Sequence, residues 1–219
     1  MPDGRLVIGN RRYSSWSLRG WLAVRLAGLD VEEILVPLTG FGTEPSKYAP
    51  TGLVPYLEHD GNHVWESLAI IEYCAEIVPA IWPADRAART HARVISTEMH
   101  GGFRELRTAM PMNLGRPDFA GRGRTPAALA DIARIEALWA DTHARFGGAG
   151  PYLFGGSLNG ADAMYAPVVA RFAINQPELS PASRAYCQAV MAHPLMVEWQ
   201  QGAAAEPAEW LREPYENLS

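Results

Sequence analysis

The segment that most restricts how this chain can fold runs from Gly52 to Tyr73, GLVPYLEHDGNHVWESLAIIEY. Pro55 has no amide to donate and stands just before the apolar pair Tyr56-Leu57, so it marks the entry to a strand rather than its interior. A proline there needs a reason, and a cis bond in a tight connection is one. Asp60-Gly61 is a two-residue hairpin signal, and His63 to Trp65 supply the returning strand. Glu66-Ser67 then lead into the apolar positions Leu68, Ala69, Ile70, Ile71 and Tyr73 of a helix. Ser67 is placed to cap that helix. The first-turn amides and the Ser67 hydroxyl offer a seat for a carboxylate, and Glu66 beside them offers one for an ammonium. One small site would then hold both ends of an amino acid.

The rest of the chain arranges itself around this unit. Arg5 to Gly9 reads as a first strand. A helix follows from about Trp16 to Ala27, with Leu18, Trp21, Leu22 and Val24 at apolar positions and Gly28 as its stop. A second strand covers Glu33 to Val36. Pro37 to Pro50 is loop-rich, with a short helix near Pro45 to Tyr48. The order βαβ and then ββα is an α/β pattern. Two prolines in PAIWPAD, Pro79 to Asp85, mark a linker. The division is residues 1–78, a linker at 79–86, and an all-helical part at 87–219.

In that second part a long helix runs from Arg86 to about Met110, with a possible break at Gly101-Gly102. Pro111 to Arg124 is loop, and Pro126 to Phe146 is helix, opened by its proline. Asn159 and Asp162 form a capping box for a helix reaching about Ile174. Helices at Ser183 to Ala192 and Pro194 to Gln200 precede a tail that Trp210 and Tyr215 pin to the body.

Composition narrows the partners. The chain has 219 residues, 48% of them hydrophobic, enough for packed cores. Its net charge of −5 and pI of about 5.7 point away from a general nucleic-acid surface. No apolar run approaches about 18 residues, and the start MPDGRLVIGN is too polar for a signal peptide. The expectation is a cytoplasmic protein with no membrane and no nucleic-acid partner. Cys74 and Cys187 read as reduced core thiols, and the six histidines form no zinc pattern. His59 and His63 flank the hairpin and are expected to face water.

Val54-Pro55 followed by Glu66-Ser67 resembles the glutathione-binding half of the cytosolic glutathione transferase family. The resemblance implies a thioredoxin-like α/β N-terminal domain followed by an all-α C-terminal domain. It also implies a cis proline, Val54 pairing with the cysteinyl unit of glutathione, and Glu66 and Ser67 holding its γ-glutamyl end. The stretch Tyr13-Ser14-Ser15-Trp16-Ser17-Leu18-Arg19 looks like the serine-type active-site loop, and especially like the zeta class that contains the maleylacetoacetate isomerases. By that likeness Ser14 is the hydroxyl that contacts the thiol, Ser15 is the reserve, and Trp16 stands where the zeta motif has cysteine. Asp162 is assigned to folding. The resemblance further implies a homodimer.

The chemistry such a loop performs is thiol activation. A free thiol ionises near pH 8.5, and a hydroxyl donor at a helix start favours the thiolate nucleophile. A drop of about two units corresponds to roughly 2.7 kcal/mol. Taken without the family, Ser14 and Ser15 read as cap residues, and Arg19 and Arg25 as structural or solvated. Arg104 and Arg107 share a helix face, either lining a cationic pocket or facing solvent. Arg171, if buried, requires a carboxylate partner. The leading reading is a glutathione transferase acting on a small electrophilic substrate without a metal. The alternatives are a glutathione-dependent isomerase of maleylacetoacetate type and a catalytically weak glutathione-binding protein.

Overall fold

Leu6 and Ile8 alternate with Val7 along the first strand, β1 (Gly4–Gly9), so one face of the sheet it builds takes two large side chains and the other takes one. The computed structural model describes residues 2–38, 47–116 and 119–216. Helix α1 (Ser15–Ala27) returns the chain to β2 (Glu32–Val36), which pairs parallel to β1. β3 (Tyr56–His59) lies antiparallel on the other side of β1, and β4 (Asn62–Trp65) pairs with β3, giving the order β2-β1-β3-β4. Helix α2 (Ser67–Ile77) closes the unit. This is the expected thioredoxin-like α/β arrangement.

Periodicity explains which faces are buried. Leu18, Trp21 and Leu22 lie at helical spacing on α1 and pack with Leu6, Ile8, Leu57, Ile70 and Ile71 in one core. Val7, Val36, Ala49 and Tyr56 make a smaller cluster on the opposite face. Gly28 ends α1 with φ 64°, the left-handed conformation a C-cap glycine adopts at no steric cost.

After a short 3-10 turn at Pro79–Ile81, all further helices belong to the second part: α3 (Arg86–Gly101), α4 (Arg104–Ala109), α5 (Pro126–Thr142), α6 (Gly160–Asn175), α7 (Pro181–Ala192), α8 (Pro194–Ala204) and the single turn α9 (Glu213–Glu216). The long helix expected from Arg86 breaks where Gly102 is extended and Phe103 takes φ 56°, so α4 sets off in a new direction. α5 passes into one π-helical turn at His143–Gly147. Almost every residue of α6 is buried, and its capping box is complete: Ala161 N donates to Asn159 Oδ1 at 2.8 Å and Asn159 N to Asp162 Oδ2 at 3.0 Å. α6 also packs on the first unit, since a Cβ at Gly160 would lie 3.0 Å from Ile71 Cγ2 of α2.

Among the described residues no helix is long and apolar enough to cross a membrane, and both cysteines are free and buried. His59 departs from expectation: it is 6% exposed and bonds the Tyr73 hydroxyl at 2.8 Å, because the hairpin folds it under α2. His63 on the partner strand does face outward. The short helix expected near Pro45 to Tyr48 falls mostly outside the described residues.

Candidate functional site

The hairpin and α2 meet the start of α1 around a pocket of about 270 Å³, lined by Trp16, Thr51, Leu53, Val54, Pro55, Trp65, Glu66 and Ser67. The Val54–Pro55 bond is cis. Strand pairing begins at Tyr56, so the N–H and C=O of Val54 lie outside the ladder and have no partner among the described residues. α1 comes very close behind this loop: a Cβ on Gly20 would lie 2.8 Å from Pro55 Cγ.

The start of α2 differs from the expected cap. Glu66, not Ser67, is the N-cap, and it makes no side-chain capping bond. Its φ of 68° with ψ 125° lies in a sparsely populated region that costs a non-glycine residue about 1–3 kcal/mol. Ser67 is the first helical residue, and its hydroxyl is buried without a hydrogen-bond partner among the described residues. Placed inside the helix rather than before it, Ser67 cannot reach the amides it was expected to cap. The α2 terminus therefore offers uncapped amides, their partial positive charge and an orphan hydroxyl on one wall of the pocket.

Glu66 extends into solvent, and its carboxylate lies 3.7 Å from His100 Nε2. Burial holds the His100 pKa below the usual histidine value; Glu66 raises it, while Arg19 and Arg107 lower it further.

The β1–α1 turn holds two hydroxyls in different situations. Ser14 is the N-cap of α1: its Oγ accepts from Ser17 N at 3.2 Å and donates to Ser17 Oγ at 2.8 Å, and Ser17 Oγ accepts from Gly9 N at 2.9 Å. Ser15 is half-buried, and its hydroxyl has no hydrogen bond among the described residues. Trp16 lines the pocket, with the Arg19 guanidinium 4.7 Å and the Arg107 guanidinium 4.8 Å from its ring centre.

Arg11 and Arg12, in the loop between β1 and α1, are engaged away from the pocket. Arg11 pairs with Glu33 and lies over the Trp199 ring, and Arg12 faces Glu216 at 4.0 Å. Arg104 is solvent-exposed and Arg107 is half-buried, so the shared face divides. Arg171 corrects a firmer expectation. It is 5% exposed, yet among the described residues no carboxylate lies within ion-pair distance, and its Nη1 donates instead to Pro167 O at 3.0 Å. Position i−4 on its own helix supplies an acceptor that no charge pattern reveals. Thr51 and Trp65 were not singled out from sequence as pocket residues. The Asp60-Gly61 turn does set the register that puts Trp65 opposite Tyr56.

Comparison with known proteins places these features in context. Residues 13–77 match the family model of the glutathione S-transferase N-terminal domain, and residues 120–218 match that of the C-terminal domain. The chain is 28% identical to maleylacetoacetate isomerase of Rattus norvegicus over 188 residues, 83% of this chain and 84% of that one. Among solved structures it resembles a glutathione transferase homologue from Burkholderia with bound glutathione, with TM-score 0.68, 23% identity, and 93% and 99% of the two chains covered. It also resembles the theta class glutathione S-transferase of Xanthomonas axonopodis pv. citri with glutathione bound, with TM-score 0.64, 25% identity, and 94% and 99% covered.

Proposed function

The chain belongs to the glutathione S-transferase family, and on that premise we propose that the pocket of Trp16, Val54, Glu66 and Ser67 binds glutathione and presents its thiol to a small organic substrate. The observation that carries this reading is the orphan Ser67 hydroxyl at an uncapped helix start. A buried donor left unmade is costly, and a ligand carboxylate satisfies it together with the α2 amides. The exposed Glu66 carboxylate takes the ammonium of the same γ-glutamyl group. The free N–H and C=O of Val54 pair with the cysteinyl unit as a strand would.

When bound, glutathione supplies a thiol that either adds reversibly to a conjugated double bond and is recovered, or is consumed at an electrophilic carbon. The similarity to a maleylacetoacetate isomerase over most of both chains favours the first outcome. Trp16 in place of the zeta cysteine leaves hydroxyl activation untouched. Ser14 and Ser15 both remain candidates for the donor to the thiolate. The geometry favours Ser15, because the proton of Ser14 already serves Ser17. The homodimer is part of the same proposal.

Two measurements test it. Ultraviolet difference titration of the glutathione complex should show thiolate well below pH 8.5, abolished in Ser15→Ala; a complex that titrates like free thiol sinks the activation mechanism. With maleylacetoacetate and less than one equivalent of glutathione, an isomerase completes many turnovers. Consumption of one glutathione per product would instead establish the transferase.

A further inference from the structure

A second cleft, of about 450 Å³, opens between the end of α5 and the first half of α7. It shares no lining residue with the pocket of Val54 and Ser67. Small side chains leave the space: Ala140 and Ala144 line one wall, and Ala182 and Ala185 line the other. The π-helical turn that follows α5 runs along the first wall, and such turns recur at functional sites. The volume falls within the range of small-molecule sites, about 300–1,000 Å³.

The floor is aromatic and held in place. Trp139 and Tyr186 are 3% and 6% exposed, and their ring centres lie 4.7 Å apart with the planes at 66°. Asp162 Oδ1 accepts from the Tyr186 hydroxyl at 3.0 Å and from Leu153 N at 3.2 Å, which ties two lining residues to the start of α6. At the rim His143 Nε2 donates to Gly150 O at 3.0 Å and joins the π-helical turn to the following loop.

Two donors of this floor are unspent. Trp139 Nε1 is buried with no hydrogen-bond partner among the described residues. A buried indole N–H ordinarily finds a partner, and it can only donate. Ser180 Oγ accepts from Ser183 N at 3.2 Å and donates to Ser183 Oγ at 3.0 Å. The proton of the buried Ser183 hydroxyl is then left without an acceptor among the described residues. Tyr186 is not a third donor, since its proton goes to Asp162. An occupant that satisfies this floor brings an acceptor.

Charge decides which acceptor. Among the described residues no lysine or arginine lines the cleft. Glu136 accepts Ser180 N at 2.8 Å at the start of α7, and Asp162 lies behind Tyr186. An anionic head would enter beside two acids with no basic side chain lining the cleft to pair with it. A carbonyl oxygen accepts the same bonds without that repulsion, and a flat ring matches the aromatic floor.

We propose that this cleft binds an uncharged aromatic carbonyl compound, with its ring against Trp139 and Tyr186 and its oxygen accepting from the floor donors. The site is additional to the glutathione pocket and does not depend on the chemistry performed there.

The test is equilibrium dialysis of the full chain, saturated with glutathione, against 2-acetylnaphthalene, 2-ethylnaphthalene and 2-naphthoate. The ketone should bind saturably at this cleft, about fivefold or more tighter than the hydrocarbon and than the acid. Ala185→Leu fills the cleft from an exposed position; it should melt no lower than wild type and bind the ketone at least tenfold more weakly. Trp139→Phe and Ser183→Ala should each weaken the ketone severalfold while leaving the hydrocarbon unchanged. No saturable binding to wild type, or equal binding to Ala185→Leu, overturns the site. Equal affinity for the hydrocarbon, or an unchanged ketone affinity in both donor variants, overturns the carbonyl assignment. Equal affinity for 2-naphthoate overturns the preference for an uncharged ligand.

Discussion

Two serine hydroxyls buried almost equally deep have opposite consequences. The Ser67 hydroxyl has no partner among the described residues, whereas Ser14 caps α1 and bonds Ser17. Ser67→Ala should therefore leave the melting temperature nearly unchanged. It should weaken glutathione binding by about tenfold or more in calorimetry, the worth of one hydrogen bond to a charged group, about 1.5–3 kcal/mol. Ser14→Ala should cost about 1 kcal/mol of stability, the usual loss of an N-cap, read as a lower urea midpoint. Both serines were visible in the sequence as cap-or-ligand residues. Their division of labour was not, because a cap and a ligand donor use the same residue type and differ by one position along the helix.

The most fully specified helix is α6, and its start carries a pH dependence. Asp162 accepts from Leu153 N at 3.2 Å, Asn159 N at 3.0 Å and the Tyr186 hydroxyl at 3.0 Å, all in a buried setting. Burial outweighs these bonds and pushes its pKa up to about 6. The folded carboxyl thus holds its proton more tightly than the unfolded one. Its contribution to stability is greatest when protonated and declines as pH rises from about 4 to about 6, by roughly 3 kcal/mol, and is flat above. Urea unfolding of wild type and Asp162→Asn between pH 4 and pH 8 should show the difference between them changing only in that window. The capping box itself was legible as Asn159 and Asp162 three apart. The break after α3 was legible as paired glycines, though the left-handed Phe103 that redirects the chain was not.

Distant parts of the chain converge on the β1–α1 turn. Trp199 Nε1 donates to Arg11 O at 2.9 Å, and Glu206 accepts the amides of Arg11 and Arg12. The Arg212 amide donates to the Tyr13 hydroxyl at 3.2 Å, while that hydroxyl donates to Glu216. Tyr215 packs its ring 5.2 Å from that of Tyr13. Burial raises the Glu206 pKa, and the amides of Arg11 and Arg12 that it accepts offset part of that rise. A chain ended after Ala205 should keep its helical core, whose contacts lie elsewhere, and loosen the turn that presents Ser14 and Ser15. Amide exchange of residues 10–15 should accelerate, and the thiol shift of bound glutathione should shrink. Unchanged exchange there would show that the turn holds itself.

Local chemistry determined a good deal before any tertiary contact formed. The hairpin entering α2, the helical stop at Gly28, the α6 capping box and the order of elements follow from turn residues, period and caps, which act over a few neighbours. The pairing of Glu66 with Ser67 beside Val54 is likewise a matter of short spacing. Only the tertiary structure decided that Ser67 stands unpartnered, that His59 is buried, and that the tail grips the first loop. It also decided that the buried Arg171 finds a backbone carbonyl, Pro167 O, as its acceptor. Those facts concern residues far apart in the chain, and whether a polar group is satisfied depends on what the packed fold brings within about 3 Å of it, a distance that no spacing in the sequence encodes.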